Sequence, residues 1–163
     1  MKQLWLLRHA KSSWDYPGLA DHDRPLAPRG RKAAKRIARW ADAHEVRPEL
    51  VLASTALRAQ ATLDLVGRGL GDFEVRSESG LYHTSADALL ERLRTVDAGV
   101  TRILLVGHNP TLYELATILA PPGPDAFPTG ALAGLRLTIE TWKEIRSGCG
   151  QLEEFVVPRS LAG

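Results

Sequence analysis

Short apolar runs that stop abruptly at polar residues are the feature that most limits how this chain can fold. Three of them, at residues 4–7, 50–53 and 103–106, are long enough for a strand and too short for a helix. A continuous apolar run of this length is typical of a strand buried on both faces of a parallel sheet. Helical apolar spacing between the runs then predicts a three-layer α/β/α domain with a mostly parallel sheet.

The remaining segments complete this α/β pattern. We predict a short strand over residues 73–77 and four helices, which start at residues 28, 56, 86 and 110. Ser54 or Thr55 is expected to cap the second helix. Residues 131–141 and 152–157 have the pattern of two strands joined by a turn, which predicts an antiparallel hairpin at the C-terminal edge of the sheet.

Length and composition indicate one domain, over residues 1–163, and exclude several classes of protein. A net charge of +2 is too mild to favour nucleic acid as a partner, and no apolar stretch is long enough to predict a membrane span. The single cysteine, Cys149, cannot form an internal disulfide, and it lies in a Gly-Cys-Gly turn that we expect to be exposed. We therefore expect a cytoplasmic protein that is a monomer.

Charged residues follow the predicted strands at the points where the strands end. Arg8 and His9 come directly after the first run, Arg58 shortly after the second, and His108 after the third. Because ligands of open α/β sheets bind outside the carboxyl ends of the strands, these side chains are expected to converge on one site. Gly107, just before His108, is expected to permit a close backbone approach there.

Residues 8–10, 54–62 and 106–110 resemble the motifs of the histidine phosphatase superfamily, whose fold is also called phosphoglycerate-mutase-like. In this chain the three segments read Arg-His-Ala, Ser-Thr-Ala-Leu-Arg-Ala-Gln-Ala-Thr and Val-Gly-His-Asn-Pro. Residues 21–30, Asp-His-Asp-Arg-Pro-Leu-Ala-Pro-Arg-Gly, are similar to the SixA-like branch, the phosphohistidine phosphatases. Because the segments between the motifs are short, the resemblance implies this fold without a large cap.

The resemblance implies a role for each of the four charged residues. His9 is expected to be the nucleophile, since a neutral imidazole attacks phosphorus and an ordinary pKa near 6.5 leaves it largely neutral at pH 7. Arg8 and Arg58 are expected to bind the phosphoryl oxygens, and His108 to stabilise their charge as an imidazolium. The alternatives are histidines that only fill strand ends and arginines that only form surface ion pairs.

Three further residues have a place in the pattern. Ser12 matches a hydroxyl position of the opening motif and is expected to bind phosphate. Arg24, in the SixA-like stretch, either binds the phosphate or the partner protein, or pairs with a neighbouring aspartate. Asp15 stands where the motif often has asparagine, and a carboxylate beside a phosphate would be repulsive, so we expect it to be turned away or held by a cation.

One residue of the superfamily's pattern is missing. Its mutases and phosphomonoesterases carry a Glu or Asp that protonates the leaving alkoxide, and Tyr82 stands at the corresponding position here. A tyrosine with a pKa near 10 is a poor general acid at neutral pH. An imidazole leaving group needs less help than an alkoxide, so this loss favours phosphohistidine as the substrate. Glu78, His83 and Asp15 remain alternative acids.

Together these patterns predict a phosphatase that hydrolyses phosphohistidine on a protein, for example on a histidine-phosphotransfer domain. We expect no cofactor and no metal, because the histidines lack metal-ligand spacing and the arginines supply the positive charge. The alternatives are a phosphatase of small phosphomonoesters, such as nucleotides or sugar phosphates, and a catalytically dead module that only binds phosphate.

Overall fold

The computed structural model describes residues 1–162, so Gly163, the last residue of the predicted domain, lies outside the described residues. The strands are β1 (Lys2–Arg8), β2 (Leu50–Ser54), β3 (Glu74–Glu78), β4 (Arg102–Gly107), β5 (Leu132–Leu137) and β6 (Gly150–Val156). The α-helices are α1 (Pro28–Ala43), α2 (Leu57–Val66), α3 (Ala86–Arg94) and α4 (Thr111–Leu119). The assignment of the whole chain to one domain stays a prediction.

The strands form one six-stranded sheet in the order β3-β2-β4-β1-β5-β6. The pairs β3–β2, β2–β4 and β4–β1 are parallel, whereas β5 and β6 are antiparallel to their neighbours. The predicted parallel sheet with an antiparallel C-terminal edge is confirmed. The three strands that precede the predicted site, β2, β4 and β1, are adjacent, so their carboxyl ends lie side by side.

Alternate residues of each strand point to opposite faces of the sheet, and each face is covered by helices. Leu4 and Leu6 of β1 lie in a core with residues of α3 and α4, whereas Trp5 and Leu7 lie in a second core with α1 and α2. The three-layer α/β/α prediction is confirmed. Within residues 1–162, no helix combines the length and the apolar character that crossing a bilayer would need.

Two local predictions near the C-terminus are wrong. The strand predicted over residues 131–141 ends at Leu137, because the chain turns to bury Trp142, whose indole N–H donates to the carbonyl of Val100 over 2.7 Å. Cys149 is only 3% exposed, and its carbonyl accepts the amide of Thr138 at 2.8 Å. Its side chain fills part of the core beneath α3 and α4, where the flanking glycines gave no sign of burial.

Candidate active site

The carboxyl edge of β1, β4 and β2 brings the four predicted residues together. The imidazole rings of His9 and His108 have centroids 5.2 Å apart. The charges of Arg8 and Arg58 lie close enough to the His9 ring to lower its pKa, and the charge of Arg58 also lowers the pKa of Arg8. The structure therefore places two imidazoles and two guanidiniums around one small volume, as the strand ends predicted.

His9 is held in one orientation, with one ring nitrogen free. Its Nδ1 lies 2.8 Å from the carbonyl oxygen of Ala10. A carbonyl can only accept, so Nδ1 carries the proton and donates it, and Nε2 keeps its lone pair. Burial, and then the charges of Arg58 and Arg8, lower the pKa of His9 to about 4. At pH 7 the ring is therefore neutral, with Nε2 available as a nucleophile.

This lowered pKa makes the stability of the fold depend on pH. Between pH 6.5 and 4 the unfolded chain binds a proton at His9 and the folded protein does not, so the free energy of unfolding falls as the pH falls through this window. We expect His9 to account for about 3 kcal/mol of this loss, because one pKa unit corresponds to about 1.4 kcal/mol. Urea unfolding of the wild type and of His9→Asn at several pH values measures the contribution as the difference between them. A pH-independent difference between His9→Asn and the wild type would contradict the prediction.

Thr62 ties the nucleophile's loop to the helix that carries Arg58. Its hydroxyl accepts the amide of Ala10 at 2.9 Å and donates to the carbonyl of Arg58 at 2.7 Å, and the side chain is fully buried. Sequence reasoning did not single out Thr62, although a threonine one turn after Arg58 on the buried side of α2 is a weak signal. The contact fixes the position of His9 relative to Arg58.

Replacing Thr62 with valine keeps the shape of the side chain and removes both hydrogen bonds. The amide of Ala10 is then buried without an acceptor, so we expect a loss of about 1–3 kcal/mol in the free energy of unfolding, measured by urea or thermal denaturation. Thr117→Val on α4 is the matched control, since the Thr117 hydroxyl makes the same bond to a carbonyl one turn back, that of Tyr113 at 3.0 Å. Equal losses in the two variants would contradict the structural role given to Thr62.

Arg58 is held in place by one residue of the loop after β1. Its two terminal nitrogens donate to the Asp21 carbonyl at 2.8 Å and to the Asp21 carboxylate at 3.0 Å, and only 7% of Arg58 is exposed. Its Nε is enclosed without a hydrogen-bond partner among the described residues. Asp21 is thus a site residue that sequence reasoning missed in this role, because residues 21 and 58 meet only in the folded chain.

Arg8 carries a positive charge that no carboxylate offsets within residues 1–162. One terminal nitrogen donates to the carbonyl of Phe127 at 3.0 Å, and its Nε is enclosed without an acceptor. Burial, followed by the charge of Arg58, lowers the pKa of Arg8. Arg58 has the Asp21 carboxylate as a partner, whereas Arg8 has none, so the two neighbouring guanidiniums keep an excess of positive charge that favours an anion between them, and their planar forks match phosphate oxygens.

The surroundings of His108 disfavour an imidazolium while no phosphoryl group is bound, and its expected positive charge beside a bound phosphoryl group stays a prediction. Burial first, and then the proximity of His9 and Arg58, lower the pKa of His108 to about 3. Its Nε2 lies 2.8 Å from the hydroxyl of Ser54, and its Nδ1 is enclosed with no partner in the described part of the chain. A bound phosphoryl group would oppose these causes, because its negative charge favours the protonated ring.

One expectation about the neighbouring backbone is wrong. Ser54 and Thr55 do not cap α2: the helix follows Ala56 without a side-chain cap, and the Ser54 hydroxyl instead accepts the Ala56 amide at 3.2 Å beside His108. A Cβ at Gly107 would first meet Leu105 and Leu112, at 3.5 Å or more, so the packing around β4 leaves room for one, and the close approach of a ligand there stays a prediction.

Asp21 also holds two further side chains at the rim of the site. Its carboxylate accepts hydrogen bonds from the Nε of Arg24, at 3.2 Å, and from the hydroxyl of Tyr82. The bond from Tyr82 and the charge of Arg58 lower the pKa of Asp21 to about 2. Arg24 is buried and stacks against the ring of Trp14, 3.5 Å from its centroid. The structure thus shows the pairing of Arg24 with an aspartate, one of the two alternatives for this residue.

The surroundings of Glu78 and Tyr82 disfavour both residues as general acids. Glu78 is bound by two nitrogens of Arg92, both at 2.8 Å, and this pairing lowers its pKa. Burial and the bond to Asp21 raise the pKa of Tyr82 above its ordinary value. His83 packs against the ring of Tyr82, with centroids 3.9 Å apart. Asp15 is exposed, and its orientation away from the site stays a prediction.

A groove of about 570 Å³ opens beside Arg58 and His108. Tyr82, His83 and Asn109 are part of its lining, and no carboxylate within residues 1–162 is. Ser12 is buried close by in an isolated antiparallel bridge to Leu26, and its binding of phosphate stays a prediction. Among the residues that the structure describes, no cluster of three or more His, Cys, Asp or Glu could hold a metal ion.

Comparisons with known proteins give the same family. The model of the histidine phosphatase superfamily (branch 1) matches residues 4–87. The chain is 41% identical to an uncharacterized protein of Mycobacterium tuberculosis, over 94% of this chain and 100% of the relative. It is 31% identical to the phosphohistidine phosphatase SixA of Escherichia coli (strain K12), over 83% of this chain and 85% of that protein. A solved structure of the protein histidine phosphatase SixA in complex with tungstate has a TM-score of 0.80 at 27% identity, covering 97% of this chain and 98% of that one.

Proposed function

This chain belongs to the histidine phosphatase superfamily, in its SixA-like branch, and we propose that the phosphatase removes the phosphoryl group from a phosphohistidine side chain of another protein. The observation that carries the proposal is the lack of a carboxylate in the described lining of the groove beside Arg58 and His108, where a leaving group would be bound. The Asp21 carboxylate, which bonds to Arg58 and Tyr82 of this lining, is ionised, because its pKa is lowered to about 2. A site without a protonated carboxyl suits a leaving group that needs little protonation.

The first step is attack by His9. The Nε2 lone pair forms a bond to phosphorus while the bond from phosphorus to the substrate's imidazole nitrogen breaks, and that nitrogen keeps the electron pair. The Nδ1–H bond to Ala10 keeps the attacking nitrogen free and stabilises the positive ring that forms. Arg8 and Arg58 offset the charge on the equatorial oxygens. His108 binds a third position and becomes protonated as that charge approaches.

The second step returns the enzyme to its starting state. Water attacks the phosphohistidine at His9, the bond from phosphorus to Nε2 breaks, and inorganic phosphate leaves. The leaving group is again an imidazole, and in this step it is that of His9. Both half-reactions therefore expel a nitrogen of an imidazole, and neither requires the general acid that an alkoxide needs.

Exposed apolar side chains at the rim of the site favour a protein as the substrate. Three large apolar side chains of the loop between β1 and α1 are exposed: Trp14 is 71% exposed, Tyr16 58% and Leu19 45%. Leu57, directly before Arg58, is 43% exposed. Aromatic residues of this kind are enriched where proteins bind proteins. An open rim admits a phosphohistidine that projects from a folded surface.

The test compares kcat/KM on a phosphorylated histidine-phosphotransfer domain with kcat/KM on a panel of nucleotide and sugar monophosphates. We expect kcat/KM to be about 10²–10⁴-fold higher for the phosphoprotein than for the esters. This factor is the usual contribution of a general acid, which ester hydrolysis needs and this site does not supply. Equal or faster hydrolysis of the esters would overturn the proposal in favour of a small-molecule phosphatase. Binding of both substrates without turnover would instead indicate a module that only binds phosphate.

A further inference from the structure

A second concave surface, which the phosphatase chemistry does not use, lies against α1. It is a cleft of about 580 Å³, within the range of small-molecule sites. Its floor is one face of α1, and its sides are the loop before β5 and the segment after β6. Five cationic side chains line it: Lys11, Arg29, Lys32, Arg36 and Arg159. We name this surface the α1 cleft.

The charge in the α1 cleft is of one sign. No Asp or Glu of residues 1–162 belongs to its lining, and none of the five cations makes an ion pair with a described carboxylate. The whole chain has a net charge of only +2, so this concentration is local. A cleft lined by one sign of charge focuses its field and raises the local concentration of counter-ions.

The helix arranges three of these cations in a row. Arg29, Lys32 and Arg36 follow each other at three- and four-residue spacing, so they lie on one face of α1. The Nε of Arg36 is enclosed and has no hydrogen-bond partner in the described chain. Arg36 makes no hydrogen bond or ion pair with a described residue, so a ligand on this face would not have to displace a partner of its guanidinium.

We propose that the α1 cleft binds an oligophosphate with two or three phosphate groups. A chain of two or three phosphate groups carries about three to five negative charges near pH 7, because only its terminal groups ionise a second time, so its charge matches five cations. Guanidinium forks bind phosphate oxygens in pairs, and lysines add point charges. The opposite wall is formed by the apolar residues Pro128, Val157 and Pro158. It has room for a ring attached to the oligophosphate, but the proposal does not require a ring.

The cleft is separate from the catalytic site but shares backbone with it. Lys11 lies two residues after His9 and is part of the cleft lining, whereas the His9 ring lies in the site. The amide of Gly130, next to Thr129 of the cleft, donates to the carbonyls of Arg8 and His9 at 3.1 and 3.0 Å. No residue lines both the α1 cleft and the groove beside Arg58. Substitutions can therefore affect one without removing the other.

Isothermal titration calorimetry at fixed, low salt tests the proposal with inorganic tripolyphosphate, ATP and orthophosphate as probes. We expect Lys32→Ala/Arg36→Ala to weaken tripolyphosphate binding at least tenfold. The matched control, Arg31→Ala/Lys35→Ala, removes the same charge from the same helix outside the cleft, and we expect a change of less than twofold. Tighter binding of ATP than of tripolyphosphate would support the cleft with a ring on its apolar wall, and the reverse would support an inorganic ligand.

Two results would overturn the proposal. One is equal weakening by the two double variants, which would indicate only the general field of α1. The other is loss of tripolyphosphate binding in Arg58→Ala, which would place the ligand in the catalytic site. Amide chemical shifts of the unmodified protein provide a measurement independent of variant folding: changes at Lys32, Thr129 and Arg159 support the cleft, and changes confined to His9 and His108 overturn it.

Discussion

Replacing His9 with alanine is expected to lower kcat/KM for a phosphoprotein substrate by about 10⁴-fold or more, because the variant has no group to form the intermediate. The His9 imidazole has a lone pair already free: Nδ1 donates to the carbonyl of Ala10, and the lowered pKa keeps Nε2 unprotonated at neutral pH. Rapid quenching with ³²P-labelled substrate should trap label on the wild type and none on the variant.

The control for this loss is a histidine outside the site. His44→Ala, at the end of α1, should keep kcat/KM within about twofold of the wild type, because surface substitutions have small effects. His9→Ala should still bind inorganic phosphate, since both arginines remain. Turnover by His9→Ala at the wild-type rate, or acid-labile label on His108 in its place, would show that the nucleophile has been misassigned.

Replacing Arg58 with alanine is expected to lower kcat/KM by about 10²–10³-fold, the usual cost of losing one donor that stabilises transition-state charge. The loss should fall mainly on kcat, because the charge on the equatorial oxygens and the bridging nitrogens is what changes between ground state and transition state. Arg58 is 7% exposed and is held by two hydrogen bonds to Asp21, so little reorganisation is needed when the phosphoryl group arrives.

Arg58→Lys separates the position of the Arg58 guanidinium from its charge, and Arg68→Ala is the control. Arg58→Lys keeps the charge but loses the fork that contacts the Asp21 carbonyl and carboxylate together, so its kcat/KM should lie between those of the wild type and Arg58→Ala. Arg68→Ala removes an exposed arginine just after α2 and should change kcat/KM by less than twofold. An Arg58→Ala enzyme within threefold of the wild type would contradict the role proposed for this residue.

The fold and the four charged residues could be predicted because local patterns encode them. Apolar runs of strand length identify buried strands, and the polar residues that end them lie at the carboxyl edge of a parallel sheet whatever the order of its strands. Arg8, His9 and His108 are therefore placed by their position along the chain alone. Arg58 is placed almost as well, because it lies in the first turn of the helix that follows β2.

What only the tertiary structure decided is how residues that are distant in sequence meet and what that does to their chemistry. The contact of Asp21 with Arg58, and that of Thr62 with the amide of Ala10, join segments 37 and 52 residues apart. No local pattern encodes such pairs, because they depend on how loops fold back over the sheet.

The protonation states of His9 and His108 also depend partly on the sequence and partly on the packed structure. The sequence determined that two histidines lie at strand ends, and it correctly predicted a neutral His9. Whether His108 carries a charge depends on burial and on neighbouring charges, and both arise from packing: the pKa of His108 falls to about 3 beside His9 and Arg58. The sequence therefore determined which residues form the site, and the packed structure decided their charges, since the free energy of a charge depends on everything that surrounds it.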